Sequence, residues 1–325
     1  MKASTPALSR AERFLEKTLR LEHGANLFPL IHVFFYYTFF LMLAVPGFIH
    51  PLFLKVAFWI LLVLLNYSLT IGIMHMHSHR PLFTSARYNR ILEFLLCVPS
   101  CVSFPVVKFA HTYIHHTFDN GPKDFTSTHG YEAGWRAVWY WVRYSWLVTA
   151  KTGLGLFARD AHPYWRNLRP QYVRDSLITI SLFGICFFLN PKGMLWVYLL
   201  PMVVTHVSCG YFAWVTHAPA KEGLLNGSVN TVNNLMGLFI HNQGYHAVHH
   251  RYPAIHWTDI PGKLELMLQV GDPYIVPYWV VLPSAVRILH PSAFVNDRFG
   301  KDWKSRYQKR QGVIRLRSLP YFTWI

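Results

Sequence analysis

Residues 27–49 read LFPLIHVFFYYTFFLMLAVPGFI, a run that contains no Asp, Glu, Lys or Arg. A helix needs roughly 20 apolar residues to cross the hydrocarbon core of a bilayer, so this stretch predicts a membrane span. The run breaks at Pro46-Gly47 and Pro51, and the chain is apolar again from Leu52 to Met74 with Lys55 as its single charge. Together the two runs predict a helical hairpin. A second hairpin is predicted over Ser176–Leu189 and Met194–Val215, parted by Asn190-Pro191-Lys192-Gly193. Its first arm is short, and reaches back to about Tyr172 if Arg174 snorkels toward the interface.

The whole chain has 325 residues, 52% of them hydrophobic and 17% aromatic, which excludes a disordered polypeptide. Only 14% are charged, against about 25% in soluble domains. Yet 31 Lys and Arg face 15 Asp and Glu, for a net charge of +16. The competing reading of the apolar runs is the buried core of a large soluble helical protein, and the placement of charge decides against it. Apart from Lys55 and Lys192, every basic residue lies before residue 27, between Arg80 and Arg174, or from Lys221 onward. Lys and Arg accumulate on the cytoplasmic side of membrane proteins, so these three regions share that side. The expected fold is an all-α integral membrane protein with four transmembrane helices in two hairpins, a cytoplasmic helical cap and both termini cytoplasmic.

Residues 1–26 are no cleavable signal peptide, because Glu12, Glu16 and Glu22 interrupt any apolar core. They read as a basic amphipathic segment on the membrane surface, with Leu8, Leu15 and Leu19 on one face and Arg10, Arg13, Lys17 and Arg20 opposite. A membrane domain over 27–262 follows, then a basic cytoplasmic segment over 263–325. The basic run from Arg298 to Arg317 fits anionic lipid; no nucleic-acid-binding motif accompanies it, so nucleic acid is not an expected partner. Between Arg80 and Arg174, ILEFLLCVPSCVSFPVV and AVWYWVRYSWLV read as helices lying on or dipping into the interface, with Trp135, Trp139, Trp141 and Trp146 at headgroup level or packed on the cap. Cys97, Cys101, Cys186 and Cys209 sit in apolar surroundings without Cys-x-x-Cys spacing, and read as buried packing residues, with Cys97 and Cys101 one helical turn apart.

Nineteen histidines are the other anomaly. Three clusters stand out: His75-Met76-His77-Ser78-His79, His111-Thr112-Tyr113-Ile114-His115-His116, and His246-Ala247-Val248-His249-His250. On a helix, His75 and His79 share a face, as do His111 and His115, while His246 shares one with His249 and His250, and two imidazoles on one face can hold one metal ion. Protonated imidazoles so close would repel, whereas neutral ones suit a Lewis acid. Zinc is satisfied by three or four ligands; so many nitrogens suit two ions, and imidazole also suits iron. Glu-x-x-His pairs, which build carboxylate di-iron bundles, are absent. Asp119, Asp124 and Asp259 are close enough in sequence to orient ring N–H groups, or are simply solvated loop residues. A metal transporter or a zinc membrane hydrolase is the alternative from another class, but a transporter places its ligands near the bilayer midplane, and these clusters stand at span ends.

MHMHSHR (Met74–Arg80), HTYIHH (His111–His116) and GYHAVHHRYPAIHW (Gly244–Trp257) resemble, in order and layout, the histidine boxes of the membrane fatty acid desaturase and hydroxylase superfamily. The resemblance implies that 27–262 is a desaturase-like domain holding two non-haem iron ions at the cytosolic membrane face, where O2 is activated and hydrogen is abstracted from an acyl chain. It implies iron ligands at His75, His79, His111, His115, His116, His246, His249 and His250. His217 in AWVTHAP fits a further family histidine upstream of the third box, with His206 as its rival inside the last span. His77 is additional to the family box and points away from its neighbours on an ideal helix, so it is a ligand or a supporting residue. Ala213 stands where some relatives carry Asn, leaving a water or Asn242 to complete that ion's coordination. His241 and His256 flank the third box as supporting or loop residues. No fused cytochrome b5, ferredoxin or flavin signature is present, so a separate electron donor, of ferredoxin or cytochrome b5 type with its reductase, is the expected partner besides the acyl substrate and the bilayer. The expected reaction is acyl desaturation; hydroxylation, or oxidative decarboxylation to a terminal alkene, is the alternative on the same scaffold.

Overall fold

The computed structural model of the protein describes residues 10–131, 134–157, 163–218, 227–230, 237 and 239–264. Residues 1–9 of the N-terminal segment, and the basic C-terminal segment from 265 onward, lie outside the described residues. Regular structure among them is helical, and the one β-bridge pairs Leu21 with Phe83. In chain order the helices are α1 (Arg10–Leu19), α2 (Leu27–Ala44), α3 (Leu52–His79), α4 (Ala86–Ser100), α5 (Phe104–Phe118), α6 (Gly134–Phe157), α7 (Pro163–Leu189), α8 (Pro191–His217) and α9 (His246–Arg251).

Among the described residues, four helical stretches are each long and apolar enough to cross a membrane: Gly24–Ala44, Leu52–His79, Trp165–Leu189 and Pro191–His217. Their burial separates the membrane reading from a soluble core. Only 11% to 44% of each apolar window is buried, and side chains such as Phe53 and Phe188 are 71% and 86% exposed. So much outward apolar surface requires a hydrocarbon solvent, and the chain is an integral membrane protein.

Local chemistry sets the breaks. α2 stops before Pro46, and Gly47 takes φ +78°, a left-handed turn that glycine adopts freely. Between α7 and α8, Asn190 accepts the Gly193 N–H at 3.0 Å through its side-chain oxygen, and Pro191 occupies the first position of α8, where its missing N–H does no harm. The Asn190 amide also donates to the Ala44 carbonyl at 3.1 Å, which brings the two turns side by side. The Trp59 indole N–H donates to the Trp196 carbonyl nearby, linking α3 to α8.

Two expectations change. The first arm of the second pair is not short: α7 begins at Pro163, and its polar first half is held by packing, with Trp165 buried and stacked on Phe109 of α5 at 4.1 Å. Arg174 pairs with its neighbour Asp175 at 2.6 Å. Cys97 and Cys101 do not share a helix, because α4 ends at Ser100 and Cys101 takes φ +54° at a 92° bend into α5. All four cysteines are free, but only Cys97 and Cys209 are buried as expected; Cys186 is half-buried and Cys101, at the bend, is exposed.

α3 is the central helix, with Leu62, Leu65, Leu69, Ile73 and Met74 in the largest buried cluster, beside Tyr36 of α2 and Leu96 of α4. α6 runs against α8 and comes close to it at Gly210, where an added Cβ atom would collide with the Trp141 backbone. Small residues permit such backbone approach between helices. Gly210→Val is therefore expected to destabilise the purified protein by about 1–3 kcal/mol or more, read as a lowered thermal midpoint, whereas Gly184→Ala, with open space around it, should leave the midpoint unchanged or slightly raised, because alanine favours a helix over glycine.

Candidate metal centre

The three boxes stand at the end of α3, within α5 and along α9, and His217 closes α8. The fold gathers their ring nitrogens into two groups, one of His75, His79, His111 and His249, the other of His115, His217, His246 and His250, and within each the atoms offered lie within 4.8 Å of one another. In the first, His249 Nε2 is the hub, 2.8 Å from His75 Nε2, 2.9 Å from His116 Nε2 and 3.4 Å from His111 Nε2. His116 thus joins this group, and it also stands 3.1 Å from His111. In the second, His246 Nε2 lies 2.9 Å from His217 Nε2 and 3.2 Å from His250 Nε2.

Two expected pairings, His111 with His115 and His246 with His249, are overturned. His111 and His115 do not share a group: His111 falls with His116, and His115 goes to the other. The cause is local. From Phe109 to His115 the chain is π-helical, and i→i+5 hydrogen bonding brings residues five apart, not four, onto one face. Likewise His246 pairs with His250, while His249 turns to the first group. α3 also passes through a π-helical stretch, Ser68–Met74, just before its box. α5 and α9 each contribute to both groups, so the two groups are held at fixed spacing.

The outer nitrogens of the second group are tethered. His115 Nδ1 donates to Asp124 Oδ2 at 2.7 Å, and His217 Nδ1 donates to the Gly227 carbonyl at 2.9 Å. His250 Nδ1 lies 2.9 Å from Asp119 Oδ1 but is not aligned as a hydrogen bond. A tether at Nδ1 fixes the tautomer and leaves the Nε2 lone pair facing inward. Asp124 is itself locked, its Oδ1 accepting from the Thr126 N–H and hydroxyl. Burial alone would raise its pKa, but hydrogen bonds and charge from His115 and Thr126 hold it down at about 2. Left-handed conformations at Asp119 and Asn120 end α5 and fold this loop back beneath the histidines.

Burial first, and repulsion from neighbouring imidazoles second, hold His246, His249 and His250 well below the ordinary histidine range. These rings are neutral at physiological pH and able to act as ligands. The donor set fits metal: nitrogens bound to one ion at about 2.1 Å and at right angles stand about 3.0 Å apart, close to the 2.8–3.4 Å separations around His249. His79 Nε2 is buried without a hydrogen-bond partner among the described residues, as suits a ligand atom. Neither group contains a carboxylate.

The remaining candidates are placed elsewhere. His77 turns away from both groups: its Nδ1 accepts the Leu82 N–H at 3.1 Å and its Nε2 stands 3.8 Å from Glu93. Asn242 donates to the Trp257 carbonyl at 3.0 Å. Asp259, expected as a possible ring-orienting residue, is exposed and stands in neither group. His206 stays within α8 and meets the Ser100 carbonyl at 2.7 Å. His256 bonds Asn26, and His241 is buried against Phe28 and Trp257. Two contributors escaped sequence reasoning: the Gly227 carbonyl, and Asn230, whose Oδ1 accepts the Ala247 and Val248 N–H groups at the start of α9.

A cavity of about 110 Å³ opens beside both groups. Its wall includes His75 and His111 of the first and His115, His217 and His246 of the second, with Val102, Val107, Ala110, Val148 and Phe212 among its apolar lining.

Long outward-facing apolar helices, together with two sets of converging imidazoles at their ends, define a membrane protein built around a histidine-rich centre whose two groups could each hold a metal ion. The chain belongs to the fatty acid desaturase family, whose sequence model matches residues 51–282. Among curated proteins, none matches it. Family membership makes it an oxidoreductase of desaturase or hydroxylase type.

Proposed function

We propose that the protein is an O2-dependent fatty acyl desaturase whose two histidine groups hold two iron ions. The cavity carries this reading, because one apolar space is walled by members of both histidine groups. First-group ligands are His75, His79, His111, His116 and His249; second-group ligands are His115, His217, His246 and His250. Bound iron with O2 supplies the oxidant that an unactivated C–H bond demands and that no acid–base pair of side chains provides. The protein's own part is placement. Val102, Val107, Ala110, Val148 and Phe212 exclude water and align an acyl chain past the histidines, while Asp124 and the Gly227 carbonyl keep His115 and His217 turned inward.

The side-by-side turns at Ala44 and Asn190 lie at the ends of α2 and α8 opposite to the boxes. With the distribution of Lys and Arg, this supports boxes and termini on the cytoplasmic side. Arg251 is exposed beside the third box and Arg80, paired with Glu22, follows the first. Such a basic rim suits a separate acidic electron carrier of ferredoxin or cytochrome b5 type.

Metal analysis and a product assay test the reading together. Purified protein is expected to hold about two iron ions per chain on the binding logic above, and membranes supplied with a labelled fatty acid and an electron donor should yield an unsaturated acid of the same length. Zinc without iron would reject the oxidase. An oxygenated or shortened product, with no unsaturated acid of the original length, would replace desaturation by hydroxylation or decarboxylation.

A further inference from the structure

His206 lies on α8 three turns before His217, inside a span, and lines the cavity. Its Nε2 stands 2.7 Å from the Ser100 carbonyl oxygen. A carbonyl only accepts, so Nε2 carries the ring hydrogen and Nδ1 of the neutral ring is a bare acceptor. That Nδ1 is buried and has no hydrogen-bond partner among the described residues. Native structures seldom leave a buried acceptor unpaired without a use. Three hydroxyl-bearing residues of α6 line the same cavity: Tyr144; Ser145, whose Oγ donates to the His206 carbonyl at 3.3 Å and keeps its lone pairs; and Thr149 one turn further on. No Lys, Arg, Asp or Glu is among the cavity's described lining residues. The set therefore suits neither a carboxylate nor a phosphate. It fits a small uncharged group that both donates and accepts.

We propose that His206, Ser145 and Thr149 form a subsite for a hydroxyl carried on the substrate chain, about 16 Å along α8 from His217 at 1.5 Å per residue, so that the preferred substrate is a hydroxylated acyl chain. His206 Nδ1 accepts the substrate O–H, and the Thr149 hydroxyl supplies a donor to its oxygen, with the Ser145 hydroxyl, held by the His206 carbonyl, beside it. The subsite acts on specificity and lies apart from the histidine groups. It rests on the acyl reading of the cavity.

Equilibrium competition in lipid nanodiscs tests it with the full chain, using labelled stearic acid as tracer and a series of monohydroxystearic acids whose hydroxyl moves along the chain. One or two members are expected to bind about tenfold more tightly than stearic acid, the effect of one well-formed buried hydrogen bond. His206→Phe should flatten the series so that all members bind alike, and Ser145→Ala with Thr149→Val should do the same while leaving the His206 ring in place. If stearic acid binds and no hydroxylated member binds more tightly, the hydroxyl subsite is wrong while the acyl reading stands. If a preferred member keeps its advantage in both variants, the residue assignment is wrong. If stearic acid and its derivatives all fail to displace the tracer, the acyl reading fails and takes this proposal with it.

Discussion

Replacing His249 with Ala is expected to abolish turnover, by at least about a thousandfold, or roughly 4 kcal/mol of transition-state stabilisation. The reason is its position as hub of the first group, with the ring nitrogens of His75, His116 and His111 2.8, 2.9 and 3.4 Å from its Nε2. The ring is buried, so Ala leaves a hole that neighbouring imidazoles, fixed on α3 and α5, cannot close. Iron content should fall by about half, since the second group keeps all four of its members. Membrane insertion should survive, because His249 lies on the short helix α9 and outside every span. His50→Ala is the control: that histidine is exposed at the turn before α3 and should change neither iron nor rate. Undiminished turnover in His249→Ala, with iron retained, would overturn the ligand assignment.

The spans were legible because hydropathy alone encodes them: the charge-free run from Leu27 and the run from Leu52 appear as α2 and α3. The start of α7 was not, since its first half is polar and is held by Trp165 against Phe109 rather than by its own composition. The membership of the histidine boxes could be read from their residue types, and His77 turning away was already implied by ideal helical spacing. Their partition could not. A π-helical stretch over Phe109–His115 shifts His116 to the face of His111, and nothing in HTYIHH announces that change of period. The tethers were least visible. Asp124 reaches His115 only because Asp119 and Asn120 adopt left-handed conformations, while Asn230 meets α9 from 17 residues away in sequence. Such contacts depend on loop closure in three dimensions and leave no periodic trace.

Asp124→Asn is the second large effect, and it separates holding a metal from positioning its ligand. The Asp124 carboxylate is buried and fully used. Oδ2 accepts from His115 Nδ1 at 2.7 Å and from the Asn120 N–H at 3.2 Å, and Oδ1 accepts from the Thr126 N–H at 2.8 Å and its hydroxyl at 2.6 Å. An amide offers one acceptor atom where the carboxylate offers two. If its oxygen faces His115, its NH2 group meets the Thr126 N–H, donor against donor; if it turns over, His115 loses its acceptor and with it the tautomer that aims Nε2 inward. Either arrangement leaves a buried donor unpaired, a cost of about 1–3 kcal/mol. Loss of an outer hydrogen-bonding partner typically weakens a metal site tenfold to a hundredfold. Iron affinity of the second group should fall by that factor and turnover with it, while the first group, whose members make no contact with Asp124, keeps its ion. Titrating metal-stripped protein with ferrous iron under anaerobic conditions would show one site unchanged and one weakened. Excess iron should then restore much of the activity of Asp124→Asn but none of that of His115→Ala, because the first variant still possesses the ligand and the second does not. Equal loss at both sites, or no rescue in Asp124→Asn, would mean that the loop supports the fold as a whole rather than the orientation of His115.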